Sequence, residues 1–65
     1  MADLAAYQNI VDQHHEARQA HLTQGEKNRA AALAQTIGQA NPHTTTLGQA
    51  ASAAIAIVQK ERERS

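Results

Sequence analysis

The sequence predicts an all-α fold, and three observations support this prediction. Apolar residues recur every three or four positions along most of the 65-residue chain, which is the period of an amphipathic helix. No stretch alternates apolar and polar residues as a half-buried strand does. Helix breakers are few, with three glycines and one proline. We expect a single small domain covering residues 1–65, with two to three short helices at about residues 3–22, 26–39 and 44–63.

One face of the first predicted helix is apolar in its first half and polar in its second half. Asp3 suits the N-cap position, and no residue before Leu22 breaks the helix. The stripe begins with Leu4, Tyr7, Ile10 and Val11 and continues with His14, Arg18 and His21. Because tyrosine and arginine often anchor protein interfaces, we predict a partner-binding patch formed by Tyr7, His14, Arg18 and His21. The alternatives are a solvated helix face and a polar seam between two copies.

Two boundary signals compete between the first and second predicted helices. Gly25 suits the position just after a helix end, whereas Thr23 and Glu26 have the spacing of a capping box. The second helical stripe, formed by Ala30, Leu33, Ala34 and Ile37, is turned by about a quarter circle from the first. This rotation favours a break near residues 23–25. The alternative is that the two segments merge into one long bent helix within an oligomer.

The third predicted helix comes after a loop at Gly38–Thr45, where Pro42 disfavours helical geometry at the residue before it. Thr46 and Gln49 have the spacing of another capping box. One stripe of this helix consists mostly of small side chains, which allow another helix to approach closely. We predict that it packs in a dimer through Leu47, Ala51, Ala54 and Val58. The tail at residues 60–64 alternates in charge. This pattern predicts a solvated helix end or weak pairing of opposite charges between chains.

Composition narrows the classes of partner. Six basic and six acidic residues give a formal net charge of zero, so no strong field attracts nucleic acid or anionic lipid. The longest uncharged part of the third helix is shorter than the roughly 20 residues that span a bilayer. The hydrophobic side chains are few for a stable monomer, and the absence of cysteine excludes disulfides. Because few other sources of stability are left, we expect a homodimer. The absence of cysteine fits a reducing compartment, so we expect the protein in the cytoplasm, with no membrane association.

Chemistry-bearing residues do not form a recognisable active site. No two of the four histidines are three or four positions apart, so no pair has the spacing to bind one metal ion from a helix. An interchain metal site or a pH-sensitive interface remain alternatives for them. Ser52 lies in the alanine-rich helix without an adjacent base. We expect no catalytic residues, no cofactor and no enzymatic activity.

One segment supports a different function. Leu33-Ala34, Ile37-Gly38 and Leu47 resemble the helix-turn-helix pattern of bacterial and phage regulators, in which the second helix enters the major groove. The resemblance covers about 18 residues. It implies DNA contacts by Asn41, His43, Thr44 and Thr45, and phosphate contacts by Lys27 and Arg29. A plain turn between packed helices explains the same residues.

Taken together, these observations predict a non-enzymatic helical interaction protein. We expect a small regulator, such as an inhibitor, anti-activator or adaptor, that binds a larger protein partner whose identity the sequence does not give. The alternative is a helix-turn-helix transcriptional regulator.

Overall fold

The computed structural model describes residues 3–64 and confirms the all-α fold. Its helices are α1 (Leu4–Gln13), α2 (His15–Gln19), α3 (Gln24–Ala40) and α4 (Leu47–Arg64). No strand occurs among these residues. The helices predicted at about 26–39 and 44–63 correspond to α3 and α4. The helix predicted at about 3–22 is two helices instead of one, and it does not merge with α3.

His14 separates α1 from α2. Its ψ angle of 131° lies in the extended region, its backbone N–H donates to Val11 O, and its Nδ1 accepts a hydrogen bond from the Glu16 N–H. One residue therefore ends a helix and caps the next. In an unbroken helix, the polar residues after His14 would lie on the face that packs into the core. The break turns α2 so that Ala17 is fully buried, which explains why the continuous helix was wrong.

The turn from α2 to α3 uses a left-handed residue at His21. Its φ is 54°, its N–H donates to Arg18 O, and the Leu22 N–H donates to Ala17 O. This pair of hydrogen bonds defines a Schellman motif, whose left-handed position usually holds glycine. Leu22 and Ala17 are both buried, as the motif's hydrophobic contact requires.

Helix α3 begins with the capping box that the sequence predicts. The Glu26 N–H donates to Thr23 Oγ1 at 3.2 Å, and the Thr23 N–H donates to Glu26 Oε1 at 2.9 Å. Of the two competing boundary signals, the capping box is the one used, and Gly25 lies within the first turn of α3. The capping box satisfies two backbone N–H groups that would otherwise have no partner within the helix.

Gly38 lies inside α3, whereas the sequence placed it at the start of a loop. It is buried against Tyr7 of α1. A Cβ atom on Gly38 would overlap the Tyr7 hydroxyl and lie 3.1 Å from Cζ of the same ring. The missing side chain therefore allows α1 to approach α3 closely, and this contact accounts for a glycine in a helix interior.

Helices α3 and α4 form an antiparallel hairpin. Residues 41–46 connect them, and the Thr44 and Thr45 N–H groups donate to Asn41 O within this loop. The predicted capping box of α4 is present, because Thr46 and Gln49 exchange two hydrogen bonds of 3.1 Å. Arg29 near the start of α3 pairs with Glu61 near the end of α4 at 3.0 Å. The two helices therefore run side by side over most of their length.

A single core joins the helices, and alanine dominates it. The fully buried alanines lie on α2, α3 and α4: Ala17, Ala30, Ala31, Ala34, Ala50, Ala51 and Ala54. The largest fully buried side chains are Ile55 and Val11. Small side chains allow short distances between helix axes. This core therefore depends on close backbone approach more than on bulky side chains.

Charged side chains cluster where α1 ends, α3 begins and α4 ends. We call this cluster the charged junction; its members are Asp12, Glu26, Lys27, Arg29, Glu61 and Arg62. Three interhelical ion pairs hold it: Asp12–Lys27 at 2.9 Å, Arg29–Glu61 at 3.0 Å and Glu26–Arg62 at 3.2 Å. The guanidinium of Arg62 also donates to Ala20 O at 2.6 Å and to His21 O at 3.4 Å. The tail of α4 is therefore engaged within the chain.

Candidate protein-binding surface

The residues predicted to bind a partner do not share one surface. Tyr7 is 6% exposed and packs against Gly38, so it cannot reach another protein while the fold is intact. His14 is half-buried and caps α2. Arg18 and His21 are exposed beside the charged junction. A continuous helix would have aligned these four residues, and the break at His14 separates them. Partner binding stays a prediction for His14, Arg18 and His21.

The residues predicted to pack in a dimer lie mostly inside one chain. Ala51 and Ala54 are fully buried and Val58 is 3% exposed, all in the core that α4 forms with α1 and α3. They cannot contact a second copy in this fold. Leu47 is 36% exposed at the start of α4. The small stripe therefore serves helix packing, as its residue types indicate, but its partner helices belong to the same chain.

The geometry of α3 and α4 differs from that of a helix-turn-helix unit. Such a unit sets its two helices at about 90–120°, whereas α3 and α4 are antiparallel. The proposed base-contacting residues lie in the connecting loop: Asn41, His43, Thr44 and Thr45. Lys27 and Arg29 are already paired with Asp12 and Glu61. This arrangement gives no structural support to a DNA-reading helix in the hairpin.

The histidines and Ser52 make local contacts in the described part of the chain. Within residues 3–64, no three His, Cys, Asp or Glu side chains come close enough to hold one metal ion. The His14 and His15 rings stack with centroids 5.2 Å apart. Ser52 donates a 3.4 Å hydrogen bond to Glu16 and so joins α4 to α2. Over the same residues, none of the helices combines the length and the hydropathy that crossing a bilayer requires.

The charged junction shifts the pKa of three side chains. The backbone N–H of Thr23 is the main cause that lowers the pKa of Glu26, and the charge of Arg62 adds to it. The hydrogen bond from Arg29 lowers the pKa of Glu61, and the same bond raises the pKa of Arg29. Each shift favours the ionised form of its group. Each of the three groups is therefore ionised and paired within the charged junction.

An uncharged surface lies along the other part of the hairpin. No Asp, Glu, Lys or Arg occurs between Arg29 and Lys60. Leu33 and Ile37 come after Arg29 at four-residue intervals, and Ile57 and Ala53 precede Glu61 at the same intervals. Because Arg29 pairs with Glu61 in antiparallel helices, equal four-residue steps along the two helices bring Leu33 level with Ile57 and Ile37 level with Ala53. We call these four residues, Leu33, Ile37, Ala53 and Ile57, the apolar ladder.

The apolar ladder is accessible to a partner. Ile57 is 40% exposed, Ala53 is exposed, and Leu33 and Ile37 are partly buried against the core. Sequence periodicity placed Leu33 and Ile37 on the stripe of the second helix. It could not show that these two residues form one surface with Ala53 and Ile57, because this depends on the register of α3 against α4. The 30-residue run without charge, from 30 to 59, was the available signal.

No family model, curated protein or solved structure matches the chain.

Proposed function

We propose that this chain is a non-enzymatic helical interaction protein that binds a larger protein partner through the apolar ladder. It would act as a small regulator, such as an inhibitor, anti-activator or adaptor. The single observation that supports the proposal is an accessible ladder of Leu33, Ile37, Ala53 and Ile57 within a 30-residue run that carries no charge. Depletion of charge is the compositional mark of the centre of a protein interface.

The position of the ladder also supports this proposal. The Arg29–Glu61 pair borders one end of it, which provides the polar rim that surrounds most interface centres. A partner that covers the ladder removes Ile57 from water without burying an unpaired charge. Arg18 and His21 lie outside this surface, and they would add contacts only for a partner large enough to reach the charged junction.

Affinity capture from the native host, followed by mass spectrometry, tests the proposal. The tagged native chain is compared with Ile57→Lys, which places a charge on the ladder, and with Gln8→Lys. Gln8 is exposed on α1, so the second variant adds the same charge away from the ladder. We expect the native chain and Gln8→Lys to retain a common partner that Ile57→Lys loses. Retention of the same proteins by all three chains contradicts the proposed surface.

A further inference from the structure

The outward side of α4 carries one large apolar side chain next to small ones. Ile57 is 40% exposed, more than any other large apolar side chain of this helix, and Ala53 and Ala56 are exposed beside it. Ala53 lies one turn before Ile57 on the same side of the helix. A surface that carries both sizes of side chain about 6 Å apart along the axis can complement itself when one copy is reversed.

We propose that a second copy of this chain occupies this surface, with the two α4 helices antiparallel across a two-fold axis near residue 55. This inference rests on the proposed function, because it assigns a first occupant to the same ladder. In this arrangement Ile57 of each copy packs over Ala53 of the other. Two-fold symmetry forms this contact twice, which is the defining property of an isologous interface.

The charges permit this pairing. Formal net charge is zero, so two copies do not repel each other as whole molecules. The charged residue nearest to the contact on α4 is Lys60, five positions from the axis. The two Lys60 residues then lie on opposite sides of the axis, about 15 Å apart along the helices, which exceeds the screening length of about 8 Å at physiological salt. Each lysine faces the part of the other α4 near Gln49, which is uncharged.

The size of the molecule limits the strength of this dimer. The Cα positions span 32 and 20 Å along the two longest axes, so even a whole face is on the order of the roughly 800 Å² that each partner gives to a standard interface, and the contact between two α4 helices covers only part of that face. We therefore infer a reversible dimer that dissociates at micromolar concentration rather than an obligate one. A larger protein that binds the ladder would displace the second copy, and self-association would lower the apparent affinity for that protein by mass action.

Sedimentation equilibrium tests the dimer. The native chain and Gln8→Lys should show a concentration-dependent dimer, and Ile57→Lys should raise the dissociation constant about 100-fold, because symmetry places the lysine in both contacts. Circular dichroism should show equal helicity for all three chains, since Ile57 and Gln8 are exposed. A native chain that stays monomeric up to about 1 mM overturns the inference. So does an Ile57→Lys chain that dimerises as tightly as the native one.

A mixing experiment tests the antiparallel register. Ile57→Lys and Ala53→Glu should each dimerise poorly alone, whereas their equimolar mixture should form a heterodimer with one native Ile57–Ala53 contact and one Lys–Glu pair. Native mass spectrometry distinguishes the three species. A statistical mixture contradicts the register.

The two proposals fail in different ways. If the native chain is monomeric but Ile57→Lys still loses a captured partner, the dimer is wrong and the binding surface stands. If the dimer forms through Ile57 but capture does not depend on Ile57, the dimer stands and the proposed function at this surface is wrong.

Discussion

At the charged junction, α1, α3 and α4 are joined by ion pairs between long, partly exposed side chains. In the 30–59 part of the hairpin, by contrast, the helices pack through alanine and glycine. The first region has three interhelical ion pairs, and Arg62 additionally binds two backbone carbonyls. The second has no charged side chain and places Gly38 against Tyr7. Exposed ion pairs are flexible and screened by salt, but close backbone packing leaves no room for an added atom. The two regions should therefore respond to substitution in opposite ways.

The largest effect should come from a charge in the close-packed region. Ala54 is fully buried on α4, so Ala54→Arg leaves an unpaired charge inside the core, at a cost of about 4 kcal/mol or more. A domain of this size rarely has that much stability, and we expect loss of the helical circular dichroism signal. Ala56→Arg is the matched control, because Ala56 is exposed on the same helix. Equal helicity in both variants would contradict the packing described for α4.

Three glycines in helices give a sharper comparison. Gly38→Ala should reduce the free energy of unfolding by about 1–3 kcal/mol, because the new methyl overlaps Tyr7. Gly25→Ala and Gly48→Ala should instead increase it by about 0.5–1 kcal/mol, because their nearest neighbours lie 3.9 and 4.0 Å away. Urea denaturation measures all three.

Tyr7→Phe provides a further check on the Gly38 contact, because it removes the hydroxyl that the new methyl would overlap. It should recover part of the loss in the Gly38→Ala background. Equal effects at the three glycines would mean that α1 does not approach α3 as closely as described.

At His21, by contrast, introducing a glycine should stabilise the fold. His21 has a φ of 54°, which costs a residue with a Cβ atom about 1–2 kcal/mol. His21→Gly should therefore increase the free energy of unfolding by about 1 kcal/mol, whereas His21→Ala keeps the left-handed strain and should not. Thermal denaturation of the two variants separates relief of strain from loss of the imidazole. A lower melting temperature for His21→Gly than for His21→Ala would contradict the Schellman motif.

The smallest effect should appear as pH dependence at the charged junction. Folding lowers the pKa of Glu26 and Glu61 below the ordinary value of about 4.5. Their contribution to stability is therefore complete above the unfolded pKa and is lost as the pH falls through the folded one. The raised pKa of Arg29 has no effect in this range, since arginine stays charged in both states.

We expect the melting temperature to fall between about pH 5 and pH 3. The decrease should be smaller for the double variant Glu26→Gln, Glu61→Gln, in which neither side chain titrates. An identical acid profile for the double variant would show that the junction carboxylates do not contribute.

The parts of the fold that the sequence predicted are those set by neighbours in the chain. Both capping boxes, at Thr23 and at Thr46, need only a donor and an acceptor three residues apart. The break at His14 and the helical position of Gly38 could not be found in this way. Each depends on a contact between helices, because α2 must turn Ala17 inward and α1 must place Tyr7 over Gly38. The apolar ladder was missed for the same reason, as its residues meet only through the register of α3 against α4.

Helix α2 is too short to be stable alone. It has five residues, and isolated helices shorter than about 12–15 residues are marginal in water. Side-chain hydrogen bonds attach it to α4: Ser52 donates to Glu16, and Arg62 donates to Ala20 O and His21 O just after the helix end. Residues 14–22 should therefore open as one unit, with α1 and the hairpin still folded. In native-state hydrogen exchange, their amides should lose protection together, and trypsin should first cut the folded chain after Arg18.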